Sequence, residues 1–230
     1  MKNKECAEIL DKAFKQGRKT LSEYESKIIL NSYGIPVTRE IVVESIDGVI
    51  AAANQIGYPV VIKGCSPEIT HKTEKRLIRI DVRDNKEALS AFENINTLMD
   101  GIEGSVLIQE MIKGKRELLI GLIRDAQFGP CVSFGLGGIF TEILNDVSFR
   151  LAPLEKRDAL EMMSDIKAHK ILDSVRGMEP VDRDKLSEML INIGRIGLEN
   201  ESIMEIDINP VLISGNRPIA VDALIVLRSS

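Results

Sequence analysis

Residues 202–226 read SIMEIDINPVLISGNRPIAVDALIV. Three apolar runs, Ile203–Ile208, Val211–Ile213 and Ile219–Val226, are separated by Asn-Pro and by a Ser-Gly-Asn-Arg-Pro cluster. Runs of this length bounded by turn formers are strands joined by short connections. In the first run, Glu205, Asp207 and Asn209 alternate with Ile206 and Ile208, so the period of two sets the three oxygen-bearing side chains on one face. Such a face on an apolar strand is either solvated or holds a cation. Asp222, in the neighbouring run, could complete the oxygen set. Carboxylate and amide oxygens without His or Cys suit Mg²⁺, which is usually shared with substrate phosphates.

Upstream of this block, helices and strands are mixed. Residues 4–16 carry Cys6, Ile9, Leu10, Ala13 and Phe14 at the helical period. Ser22-Glu23-Tyr24-Glu25 is a capping box that opens a helix ending at Gly34, with Pro36 beyond. Thr38–Val43 is a strand, Ser45–Ile56 a helix, and Pro59–Lys63 a compact apolar strand with a lysine at its end. Residues 64–75 have no period and read as a loop. A strand at Leu77–Val82 and a helix at Lys86–Met99 follow.

Ser105–Met111 and Glu117–Arg124 flank Lys113-Gly114-Lys115 and are expected to form a hairpin. Cys131–Phe134, Ile139–Leu144 and Val147–Leu151 read as strands, Glu155–Lys170 and Asp182–Glu199 as helices. Hairpins beside helical crossovers point to α+β rather than one doubly wound sheet. Two lobes are expected, residues 1–103 and 104–230.

The 230 residues include 44% hydrophobic and 28% charged side chains, which is a globular composition. A net charge of −5 leaves no surplus of cations for a nucleic-acid backbone, and 4% aromatics without Trp gives no base-stacking platform. No apolar run is long enough to span a bilayer, and the start of the chain lacks the apolar core of a signal peptide. Three widely spaced cysteines without a CxxC pair suit a reducing cytoplasm.

Lys63 closes a buried strand, which is unfavourable unless its ammonium meets an anion or water; it either snorkels or clamps a phosphate. Gly135-Leu136-Gly137-Gly138 precedes a strand and lacks the context of a dinucleotide fingerprint or a P-loop. His169 lies in a charged helical stretch. His71 lies in the irregular loop after the Lys63 strand, where a neutral imidazole is either solvated or a competent nucleophile.

Four segments carry a resemblance over most of the chain, from about Ser22 to Leu227. They are YPVVIKGCSPEITHKTE (58–74), VLIQEMIKGKRELLIG (106–121), FGPCVSFGLGGIFTEILNDVSFRLAPL (128–154), and MEIDINPVLI with AVDALIVL (204–213 and 220–227). The chain resembles the ATP-grasp subunit of ADP-forming acyl-CoA synthetases of the acetate–CoA ligase type. The resemblance implies an ATP-grasp fold, two α+β lobes with ATP or ADP and Mg²⁺ between them. It also implies an acid–thiol ligase reaction, acyl-CoA + ADP + phosphate ⇌ carboxylate + ATP + CoA.

A partner alpha subunit would bind CoA and carry its own catalytic histidine, in an alpha2beta2 heterotetramer. By the same resemblance Lys63 matches the lysine on the nucleotide phosphates. Gln109, Glu110, Met111 and Ile112 match the hinge beside adenine, and Glu117 an acidic nucleotide contact. Asn209 and Asp222 match magnesium ligands with Asp207 as a third acidic neighbour. His71 matches a histidine that ferries a phosphoryl group. Lys75-Arg76-Leu77 departs from the pattern, standing where many relatives carry Gly-Gly. Other readings are a regulatory ATP-grasp module without phosphoryl transfer, a free-standing carboxylate ligase, and a succinyl-CoA-synthetase-like beta subunit.

Overall fold

The computed structural model describes residues 4–69, 76–138 and 144–228. Helices α1 (Lys4–Lys15) and α2 (Glu23–Ser32) lead into β1 (Glu40–Val43), α3 (Ile46–Ile56), β2 (Val60–Cys65), β3 (Ile78–Val82), α4 (Asn85–Leu98) and β4 (Ser105–Glu110). Then come β5 (Glu117–Asp125), β6 (Gly129–Leu136), β7 (Val147–Leu151), α5 (Lys156–Asp165), a 3-10 turn (His169–Leu172), α6 (Arg183–Glu199), β8 (Ile203–Ser214), β9 (Arg217–Ala220) and β10 (Leu224–Leu227). The strands form two antiparallel sheets. The smaller has the order β1-β4-β2-β3 and the larger β10-β8-β5-β6-β7, with β9 paired to β8.

Local chemistry sets the helix starts. Ser22 Oγ accepts from the Glu25 amide while Glu25 Oε2 accepts from the Ser22 amide at 3.0 Å, the reciprocal pairing the sequence announces. Ser45, Asp84 and Asp182 cap α3, α4 and α6 through side-chain oxygens. α3 ends at Gly57, whose φ of 93° suits glycine.

Each sheet has its own apolar core. Val60, Ile62, Val106 and Ile108 of the smaller sheet pack with Val49, Ala53, Ala88 and Phe92 of α3 and α4. The larger core joins Leu122, Val132, Ile206 and Ile225 to Leu190, Ile193 and Ile196 of α6. Cys6, Leu10, Ile29 and Leu30 of α1 and α2 belong to this larger core as well.

Two expectations are corrected here. The first lobe is not the continuous stretch 1–103. Its sheet takes β4 from beyond that point, because β4 pairs with both β1 and β2. The first two helices instead pack on the larger core, where the Leu21 amide donates to the Ile225 carbonyl at 3.0 Å. The strands flanking Lys113-Gly114-Lys115 form no hairpin. β4 ends in the smaller sheet and β5 pairs with β6 and β8 in the larger, so the segment is the crossing between sheets. A Gly-bearing turn between two apolar runs has the same local signature in either topology.

The expected helix Glu155–Lys170 is divided into α5 and the 3-10 turn, with Ile166 extended between them. Asp146 accounts for the break: its two oxygens accept from the Lys167 and Ala168 amides at 2.7 and 2.8 Å. The expected strand Ile139–Leu144 lies, apart from its last residue, outside the described residues.

Candidate nucleotide site

The face of the smaller sheet opposite its helices is where Lys63 emerges. Gln109 is registered with Glu40 on β1 and with Val61 on β2, and Lys63 with Leu107. Partners in antiparallel register share a face, and so do alternate residues of one strand, so Glu40, Gln109 and Lys63 all face the larger lobe. β2 is central and buried along its whole length, and Lys63 is 1% exposed.

Its ammonium neither snorkels nor stands free. It donates to Glu23 Oε1 at 2.7 Å and to the Val221 carbonyl at 3.1 Å. Glu23 lies in the first turn of α2, and its Oε1 also accepts from Lys27 Nζ at 2.7 Å. Lys27 in turn reaches Glu40 Oε2 at 2.7 Å, Gln109 Oε1 at 2.8 Å and Thr38 Oγ1 at 3.0 Å. Burial pushes the Glu40 carboxyl up against the lowering by Lys27. Burial opposes the charge of Lys27 too, yet Glu23 and Glu40 hold its pKa above the usual lysine value.

The larger sheet carries the candidate oxygen ligands. Its register sets Asp207 opposite Gly121 on β5 and Leu224 on β10. The gap between β9 and β10 holds Val221–Ala223, and the Val221 amide donates to the Pro210 carbonyl at 3.1 Å, which lays Asp222 alongside Asn209. Asp222 Oδ1 accepts from the Ala223 amide at 2.9 Å. The Asp207 carboxyl is pushed up to about 6, first by burial and then by the negative charges of Glu205 and Asp222. The negative charges of Glu205 and Asp222 thus act on Asp207 across the same face of the sheet.

The glycine stretch closes the same end of the sheet. Asn209 Oδ1 accepts from the Gly138 amide at 2.9 Å, and Gly137 donates to the Glu117 carbonyl at 2.9 Å. A Cβ on Gly138, whose φ is +62°, would run into the Glu117 carboxylate. Glycine is favoured there, and Glu117, Gly138 and Asn209 form one group.

The structure thus draws Lys63, Asn209, Asp207, Asp222 and Glu117 toward one region from two sheets. Met111 and Ile112 are half-buried in the crossing segment that follows β4. The side chain of Gln109 is turned into the Lys27 cluster, and Glu110 binds Arg39 through its amide and Nε at 2.8 and 3.0 Å. The Glu110 amide is also taken, donating to the Arg39 carbonyl at 3.0 Å, and Gln109 is fully buried between β1 and β2. His71 lies outside the described residues.

Among the described residues no three Asp, Glu, His or Cys side chains form a metal group by themselves. The donor set still fits Mg²⁺, which takes hard oxygens and commonly draws most of its shell from phosphate and water. A cation would offset the burial and the neighbouring negative charges that act on Asp207.

Glu23, Lys27, Thr38 and Glu40 escape the sequence reading. Their one signal is the Glu23–Lys27 spacing of four, which looks the same on a solvated helix face. Among the described residues no helix is long and apolar enough to cross a membrane.

An antiparallel sheet carrying a buried lysine, set against a second sheet carrying an Asn/Asp oxygen cluster, is the architecture of a nucleotide-grasping enzyme. The sequence profile of the ATP-grasp domain matches residues 12–227, and the chain belongs to that family. Its relatives include beta subunits of ADP-forming acetate–CoA ligase. The "Acetate--CoA ligase [ADP-forming] I subunit beta" of Pyrococcus furiosus is 44% identical over 225 residues, 96% of this chain and 97% of the relative.

Among solved structures, dinucleotide forming acetyl-coenzyme A synthetase 1 of Ca. Korarchaeum cryptofilum, in complex with coenzyme A, Ca-AMPCP and HgCl+, superposes with a TM-score of 0.92. It shares 43% identity and covers 96% of this chain and 99% of its own. The same enzyme with coenzyme A and Mg-AMPPCP has its phosphohistidine segment pointing towards the nucleotide binding site. Its TM-score is 0.86 at 43% identity, with 97% and 100% coverage.

Proposed function

We propose that this chain is the nucleotide-binding subunit of an ADP-forming acyl-CoA synthetase and moves a phosphoryl group between ADP and a phosphohistidine of its partner, by way of His71. The observation that carries the reading is the hydrogen bond from Lys63 to the carbonyl of Val221, which brings the cation of one lobe to the oxygen ligands of the other. The Mg-AMPPCP complex of the Korarchaeum enzyme supports the nucleotide and the metal. The subunit-beta name of the Pyrococcus relative supports an alpha partner, and an alpha2beta2 assembly is the finer proposal.

In the ATP-forming direction His71 first takes the phosphoryl group from the partner's phosphohistidine. A terminal β-phosphate oxygen of ADP then attacks phosphorus on His71. The new P–O bond forms as the P–N bond breaks, and the electron pair returns to the imidazole nitrogen, which is then free to take a proton. Such transfer needs positioning and charge neutralisation more than covalent machinery from the protein. Lys63 donates to the phosphate oxygens from a desolvated position, where its charge acts strongly. Asp207, Asn209 and Asp222 would hold Mg²⁺, which neutralises phosphate charge when bound. Glu117 and the hinge segment Gln109–Ile112 would orient the nucleoside. The acyl and CoA chemistry falls to the partner.

Titration of the full chain with ADP in the presence of Mg²⁺ tests the site. Wild type binds, and Lys63→Met and Asp222→Asn each weaken binding about 10-fold or more, the worth of one charge-assisted contact. Unchanged affinity in both variants contradicts the assignment.

A further inference from the structure

Glu23 enters the proposed site from an unexpected quarter. It sits on α2, in the core of the larger lobe, 40 positions before Lys63. Glu23 is 3% exposed and Lys27 and Lys63 are each 1% exposed, so all three are withdrawn from water. One oxygen, Glu23 Oε1, accepts from both ammonium groups at 2.7 Å. Stability alone is a poor explanation for this arrangement, because a buried ion-pair cluster is often matched or bettered by apolar side chains of similar volume.

A lysine side chain is long and carries about 2 kcal/mol of rotamer entropy, so an unheld ammonium is a diffuse phosphate clamp. An ammonium has three donors. Among the described residues Lys63 directs two of them, to Glu23 and to the Val221 carbonyl, and the third remains for a ligand. Glu23 cannot drift, because Lys27 grips the same oxygen. Lys27 is itself anchored on the smaller sheet by Glu40, Thr38 and Gln109. The relay therefore runs from α2 through the smaller sheet and back to the loop that carries Asp222.

We propose that Glu23 is a positioning residue that fixes the Lys63 ammonium for the nucleotide's phosphates, with Lys27 and Glu40 holding Glu23 in place. The proposal rests on the reading of Lys63 as the phosphate clamp. Glu23 touches no phosphate and acts through Lys63.

A double-mutant cycle on the full chain tests it, with ADP and Mg²⁺ as the probe and thermal melting recorded alongside. Lys63→Met weakens ADP binding about 10–100-fold, and Glu23→Gln weakens it about 5–30-fold. The double variant binds within about threefold of Lys63→Met, because the two changes remove one interaction. Losses that multiply in the double variant, or unchanged binding by Glu23→Gln, overturn the positioning role. Unchanged binding by Lys63→Met defeats the clamp reading itself, a separate result. Where Glu23→Gln does not fold, Glu23→Asp enters the same cycle, retaining the charge but shortening its reach, and the same non-additivity is required.

Discussion

Lys63 and Val221 are 158 positions apart, yet the ammonium of one donates to the carbonyl of the other at 3.1 Å. Val221 precedes Asp222, so this bond ties a central strand of the smaller sheet to the Asp222 loop of the larger. In the proposed function a nucleotide with Mg²⁺ needs cation and oxygen ligands within the length of a polyphosphate, and this bond holds Lys63 near the Asp222 loop.

Lys27→Met leaves Glu23 and Glu40 buried with one cation between them. Removing one partner of a buried ionic group typically costs about 3–5 kcal/mol. Urea unfolding monitored by circular dichroism is expected to show a loss of that order. A change under about 1 kcal/mol would mean that the cluster relaxes or takes up water.

Asp207 gives a pH signature. Its carboxyl is raised to about 6 from the ordinary 3.8, so the folded state holds this proton more tightly than the unfolded state. A raised carboxyl contributes stability below its unfolded value, and that contribution is lost as pH rises through about 6. Asp207→Asn is expected to be more stable than wild type by about 2–3 kcal/mol near pH 8, with the gain vanishing near pH 4. Parallel denaturant curves at the two pH values check it. Equal gains at both would show that charge is not the cause.

Gly138→Ala places a methyl group against the Glu117 carboxylate in a backbone region that disfavours side chains. The expected loss of stability is about 1–3 kcal/mol. ADP affinity should fall with it, because the Asn209 contact to the Gly138 amide shifts. Intact affinity in a destabilised variant would separate the glycine turn from the nucleotide site.

Much of this was legible in the sequence, for identifiable reasons. The capping box at Ser22 and Glu25 is a local interaction and appears as read. The alternation Glu205-Ile206-Asp207-Ile208-Asn209 is a property of any strand, and the structure keeps Ile206 and Ile208 inward. The crossing at Lys113–Lys115 was misread because turn chemistry does not report which strand a chain joins next. The destination of Lys63 was half legible: a buried lysine must find an anion, but only tertiary packing names Glu23 as that anion. Glu23 reads locally as a favourable first-turn residue of α2, and nothing in its neighbours points to β2.

The most direct test is phosphorylation of His71. The full chain, alone and with its partner subunit, is incubated with γ-labelled ATP and Mg²⁺, and the protein-bound label is exposed to acid and to alkali. The account predicts a label that is lost in acid, survives alkali and disappears in His71→Ala. Nucleotide bound to wild type with no such label, even with the partner present, would contradict a phosphoryl-transfer role and leave a nucleotide-binding module.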